Sequence, residues 1–120
     1  MTEPELKFLI VDDNSGMRET LKKFVTLQGD EVIECDDGKD ALSLYQHHHP
    51  DWVLMDIRMK GIGGIEATKN IVTSDLNAKV IIVTDYGDRS FQKAAKEAGA
   101  HSYVLKENLS ELESIIREKT

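Results

Sequence analysis

Five short apolar runs punctuate the chain: Leu6–Val11, Val32–Cys35, Trp52–Met55, Val80–Val83 and Tyr103–Leu105. Their length and β-branched content predict strands. The segments between them carry apolar residues at helical spacing. Met17, Leu21, Phe24 and Val25 do so in the first, and Phe91, Ala94, Ala95 and Ala98 in the fourth, which places each set on one helix face. Leu109, Leu112, Ile115 and Ile116 predict a closing helix, with Ser110 and Glu113 at the spacing of a capping box.

Strict alternation of strand and helix predicts the α/β class: parallel strands joined by right-handed crossovers, with helices on both sheet faces in three layers. Uninterrupted runs such as Phe8–Val11 and Val80–Val83 suit central strands, whereas Glu31-Val-Ile-Glu34, with charge interspersed, suits an edge. The common doubly wound order for five parallel strands is 2-1-3-4-5, with ligands bound at the switch point between strands 1 and 3.

Composition adds limits. The 120 residues read as one domain, 1–120, with 40% hydrophobic and 31% charged residues, an ordinary globular balance. A formal charge of -7 opposes direct nucleic-acid binding, which needs cations against phosphates. No apolar run approaches the roughly 18 residues of a membrane span, and the acidic start lacks a basic signal-peptide region. With one cysteine, Cys35, no internal disulfide is available. A cytoplasmic protein without membrane association is expected.

The candidate chemistry lies just after the strands, where an open parallel sheet presents its functional edge. Strand 1 is followed by Asp12-Asp13, strand 3 by Asp56, strand 4 by Thr84-Asp85 and strand 5 by Lys106. Carboxylates converging there repel unless a cation relieves them. Mg²⁺ (or Mn²⁺) suits an all-oxygen set that leaves room for water and a phosphate. Aspartate is a covalent nucleophile in phosphoryl transfer, so Asp56 is the expected acceptor. Lys106 would balance the phosphoryl oxygens and the Thr84 hydroxyl would donate to one of them. Asp36-Asp37-Gly38 reads as a turn, and His47-His48-His49 as a helix terminus, since three consecutive side chains do not share a helix face.

Leu9-Ile-Val-Asp-Asp13, Val53-Leu-Met-Asp-Ile57, Val83-Thr84 and Tyr103-Val-Leu-Lys106, in this order across the whole chain, resemble the signature of response-regulator receiver domains. The resemblance implies a (βα)5 flavodoxin-like fold and phosphorylation of Asp56 from a histidine kinase or histidine phosphotransfer protein. It also implies metal binding by Asp13, Asp56 and the Arg58 main-chain carbonyl with support from Asp12, and a switch pair of Thr84 and Tyr103. The implied output is a changed surface of helix 4, strand 5 and helix 5. That surface would control a target protein, an attached output domain, or phosphorylation-dependent homodimerisation. Such a protein is not an enzyme on other substrates; it catalyses only its own phosphorylation and dephosphorylation.

The sequence departs from the family pattern in places. Glu107 follows Lys106 where proline is usual, leaving that peptide's geometry open, since a cis bond without proline costs about 2.5 to 4 kcal/mol. Lys60 also replaces a common proline. Arg58 and Tyr86 are expected at the rim of the site, where they would tune phosphoryl lifetime, while Asp85 either adds charge that slows entry of an anionic donor or, as is usual for a loop carboxylate, points into solvent. A flavin-phosphate binder of the same winding is disfavoured, because Asp12-Asp13-Asn14 would repel the phosphate.

Overall fold

The computed structural model describes residues 5–59 and 61–117. The Lys60 departure, the first four residues and the last three lie outside them. Strands and helices alternate: β1 (Lys7–Val11), α1 (Ser15–Val25), β2 (Glu31–Cys35), α2 (Ala41–His48), β3 (Trp52–Met55), α3 (Gly64–Ser74), β4 (Val80–Thr84), α4 (Arg89–Glu97), β5 (Ser102–Leu105) and α5 (Glu111–Ile116). A short 3-10 turn, Lys106–Asn108, links β5 to α5.

The five strands form one parallel sheet in the order β2-β1-β3-β4-β5. This is the expected doubly wound α/β order. Residues of β3 and β4 are buried throughout, while β2 exposes Glu31 and Glu34 as an edge should. Alternate strand residues feed two cores, as the two-residue period of a strand requires. Leu9, Val11, Val53, Met55, Val80 and Ile82 pack with Tyr45, Ile71 and Ala95 of α2, α3 and α4. Phe8, Ile10, Leu54, Ile81 and Val83 pack with Leu21, Val25, Leu112 and Ile116 of α1 and α5.

Two local expectations are corrected. Phe24 is 47% exposed, because the buried seam of α1 is the four-residue step from Leu21 to Val25 and Phe24 lies off it. Ser110 makes no capping bond and has helical backbone angles (φ -61, ψ -20). Coming out of the 3-10 turn, it lacks the extended conformation a side-chain cap needs. Four strand boundaries move by one residue: β1 begins at Lys7, β2 at Glu31 and β5 at Ser102, and β4 ends at Thr84. The peptide left open at Lys106–Glu107 is trans, as no cis bond occurs among the described residues. His49 closes α2 in the left-handed conformation, φ 49. No helix among the described residues is long and apolar enough to cross a membrane.

The sheet edge away from the strand carboxyl ends is tied by its own charges. Asp30 accepts from the amides of Leu6 and Leu27 and from the Arg117 guanidinium, which also donates to the Val25 carbonyl. Asp51 accepts from the Lys7 amide at 2.8 Å. Asp51 therefore sits at the wrong end of β3 to join the acidic cluster.

Candidate functional site

The β1–α1 connection is only three residues long. Asn14 ends it by capping α1, its Oδ1 accepting from the Met17 amide at 2.8 Å, which holds Asp12 and Asp13 at the carboxyl end of β1. Asp12 is fixed at three further points. Its amide donates to the Cys35 carbonyl, its Oδ1 accepts from the Asn14 amide at 2.9 Å, and its carbonyl accepts from Arg18 Nη1 at 2.7 Å. Asp56 follows β3, with its amide bonded to the Val11 carbonyl at 3.0 Å. Main-chain hydrogen bonding between neighbouring strands thus sets the two buried acids side by side.

Asp12 is 1% and Asp56 7% exposed, while Asp13 faces solvent. One carboxylate oxygen from each of the three lies within 4.8 Å of the other two. Lys106 enters from the end of β5, its Nζ 3.3 Å from Asp12 Oδ2 and 3.5 Å from Asp56 Oδ1. Burial, reinforced by the Asp12 charge, pushes the Asp56 carboxyl up to about 6, against the opposing pull of Lys106. Burial works against the Lys106 ammonium, yet the facing carboxylates of Asp56 and Asp12 outweigh it and hold its pKa above the ordinary value. Even with Lys106 in ion-pair range, Asp12 Oδ2 is buried without a hydrogen bond.

An orphaned buried carboxylate oxygen beside two more carboxylates fits a hard divalent cation with oxygen ligands, Mg²⁺ foremost. Among the described residues, the cluster contains neither histidine nor cysteine. Asp13 also lines an open cleft with Ile57, Arg58, Met59, Gly61 and Gly63, which puts Arg58 beside one of the three acids.

The remaining candidates gather on the β4–α4 side. Thr84 is fully buried, and its Oγ1 accepts from the Tyr86 amide at 3.3 Å. The Tyr103 hydroxyl donates to the Tyr86 carbonyl. Burial and then the Asp88 charge hold the Tyr103 phenol above its ordinary pKa. The Arg58 guanidinium lies over the Tyr86 ring, 5.2 Å from its centroid, and the same ring packs at a tilt against Phe91, with centroids 5.7 Å apart. Asp85 points into solvent.

Three participants escape sequence reasoning. Arg18 is one basic residue on a charged helix, with nothing in its spacing to mark its reach to the Asp12 carbonyl. Gly64 opens α3 where an added Cβ would lie 1.8 Å from the Asp56 carbonyl oxygen, and Gly38 lies where a Cβ would meet the Ile62 carbonyl at 2.2 Å. Glycine next to a turn was a visible signal, but not the partner each glycine must approach. The Asp36-Asp37-Gly38 turn serves the entry to α2, with Asp37 Oδ1 accepting from the Asp40 amide.

The family model described as the response regulator receiver domain matches residues 8–117. The chain is 36% identical over 116 residues to the response regulator GacA of Pseudomonas aeruginosa, covering 94% of this chain and 54% of that one. It is 40% identical over 101 residues to the chemotaxis protein CheY of Thermotoga maritima, covering 83% and 84%. The chain spans about half the length of GacA but most of that CheY. Among solved structures, the CheX–CheY complex of Borrelia burgdorferi with BeF3 and magnesium aligns with a TM-score of 0.78 at 32% identity, over 84% of this chain and 78% of that one. Receiver domains bind Mg²⁺ at an acidic pocket, and Asp12, Asp13 and Asp56 form a cluster able to hold it. With its sheet order, its acidic switch point and a match spanning nearly its whole length, this chain belongs to the receiver-domain family of two-component response regulators.

Proposed function

We propose that this chain, as a single receiver domain over residues 1–120, is a phosphorylation-dependent switch that accepts a phosphoryl group on Asp56 and signals through the α4–β5–α5 surface. The observation that carries this reading is the buried Asp56 carboxylate, with the Lys106 ammonium 3.5 Å away and an acid pair on the adjoining strand. With its pKa at about 6, Asp56 is mostly ionised at neutral pH and serves as the nucleophile.

Asp13, Asp56 and the Arg58 carbonyl would hold Mg²⁺, with Asp12 in support. The ion supplies charge neutralisation for an incoming phosphoryl group. An Asp56 oxygen attacks the phosphorus of a phosphohistidine on a kinase or phosphotransfer protein. The new O–P bond forms as the P–N bond breaks, and the imidazole leaves. Lys106 turns from its two carboxylates to a phosphoryl oxygen, and the Thr84 hydroxyl donates to another. These contacts exist only in the modified protein, so they supply the differential free energy that a population shift requires.

Thr84 and Tyr103 share a bridge, since the Tyr86 amide binds Thr84 and the Tyr86 carbonyl binds Tyr103. Drawing Thr84 toward the phosphoryl group therefore pulls on the same residue that anchors Tyr103, at the surface of β5 beside α4. A target protein, an output domain or a second copy would read that change. The comparison with CheY carrying BeF3 and magnesium supports the metal and phosphoryl reading.

The test is titration of the isotopically labelled chain with Mg²⁺ and beryllofluoride. Amide shifts concentrated at Asp56, Thr84, Tyr86 and Tyr103 are expected. A spectrum unchanged by both additions removes the proposal.

A further inference from the structure

We propose that Arg18 is a positioning residue for the acidic cluster, fixing the peptide plane between Asp12 and Asp13 and so the angle at which the two carboxylates meet a divalent cation. This rests on the reading of that cluster as a metal site. Arg18 Nη1 donates to the Asp12 carbonyl oxygen at 2.7 Å, and its Nε donates to Glu34 Oε1 at 2.9 Å. The guanidinium side chain is only 17% exposed. Glu34 is itself held by Lys22 Nζ at 3.2 Å. A chain of contacts thus runs from α1 through the edge strand β2 and back to the first acid of the cluster.

The Asp12 carbonyl belongs to the peptide unit that links the two acids. That unit is planar, so fixing its oxygen fixes ψ of Asp12 and φ of Asp13 together. The other side of Asp12 is already held by its amide bond to Cys35 and the Asn14 contact to Oδ1. Arg18 completes the set, leaving Oδ2 buried and unbonded. Asp13, by contrast, is solvent-facing, and the orientation of its Cα–Cβ bond depends on that peptide plane. An arginine suits the task because its planar fork serves the carbonyl and Glu34 at once, which a lysine's point charge cannot do in fixed geometry.

Charge alone and positioning predict opposite signs. Removing a cation beside a dication site should strengthen metal binding if Arg18 acts only through its charge. Removing a support that orients ligands should weaken it, typically by about tenfold or more. The experiment is calorimetric titration of the whole chain with Mg²⁺, comparing the unaltered protein, Arg18→Ala, Arg18→Lys and Glu34→Gln, with thermal unfolding of each as the control for fold. The expected result is affinity weaker by about tenfold in Arg18→Ala, weaker also in Arg18→Lys despite its retained charge, and slightly weaker in the folded Glu34→Gln. Equal or tighter binding in Arg18→Ala, or unchanged binding in Arg18→Lys and Glu34→Gln should the alanine variant not fold, overturns the proposal. If the unaltered chain itself binds no Mg²⁺, the metal reading fails and the role of Arg18 falls with it.

Discussion

The hydroxyl of Tyr103 on β5 donates to the main-chain carbonyl of Tyr86 in the β4–α4 loop, tying an aromatic side chain of the last strand to the loop that follows Thr84. Tyr103→Phe keeps the ring and removes that bond, at a cost of about 1 kcal/mol. Urea denaturation should show this loss. Beryllofluoride-induced shifts should persist at Asp56 but vanish from β5, and persistence on β5 would remove Tyr103 from the switch.

Asp56 holds its proton more tightly in the folded chain, at about 6 against an ordinary 3.8. The folded state therefore binds more protons between those values, and this group makes stability fall as pH rises from about 4 to about 6. Asp30 and Glu34, held below the usual carboxylate range, act in the opposite sense but are common to any Asp56 variant. Without divalent cations, Asp56→Asn should gain about 2 to 3 kcal/mol on the unaltered chain between pH 4 and pH 7. Parallel stability curves would contradict the burial and repulsion assigned to Asp56. The same variant should form no acyl phosphate.

Lys106 is the ammonium that opposes that repulsion. Lys106→Met keeps an unbranched, slightly shorter side chain while removing the charge, so the Asp56 titration midpoint should move above 6 in carboxyl-carbon NMR. A midpoint that stays or falls would mean Lys106 does not stabilise the ionised Asp56.

The Arg58 guanidinium lies over the Tyr86 ring at 5.2 Å, and under the proposed function this pair would screen a phosphoryl group on Asp56 from water. Either alanine variant should lose the acyl phosphate roughly three- to tenfold faster, the rate equivalent of about 1 kcal/mol of cation–π contact. Unchanged lifetimes in both would leave the stack without a kinetic role.

Gly64 brings the first turn of α3 against Asp56 so closely that a Cβ would sit 1.8 Å from the Asp56 carbonyl oxygen. Backbone cannot step aside as a flexible side chain can. Gly64→Ala should cost about 2 to 3 kcal/mol in denaturation and shift amides around Asp56 in preference to those of the Asp30–Arg117 end. A uniform or negligible change would argue that α3 tilts freely.

The strands and the acids at their carboxyl ends were legible in the sequence because each rests on short-range information, and the sheet order followed from the common winding of alternating strands and helices. Runs such as Phe8–Val11 and Val80–Val83 announce strands buried on both faces, and a residue just past a strand must lie at its carboxyl edge. The distinction of Asp56 from Asp51 follows the same logic, since Asp51 precedes β3 and binds the Lys7 amide. The Ser110–Glu113 spacing failed because a capping box also requires extended backbone, which the preceding 3-10 turn denies.

By itself, then, the sequence determined the α/β architecture and put Asp12, Asp13, Asp56, Thr84 and Lys106 at or next to the carboxyl ends of strands, because periodicity and strand ends are written locally. Only the tertiary structure decided that Arg18 holds the Asp12 carbonyl, that Arg58 stacks on Tyr86, that Tyr103 bonds the Tyr86 carbonyl and that Phe24 stays exposed. Those outcomes depend on where long side chains point once helices have packed at particular angles on the sheet, and no residue spacing encodes that direction.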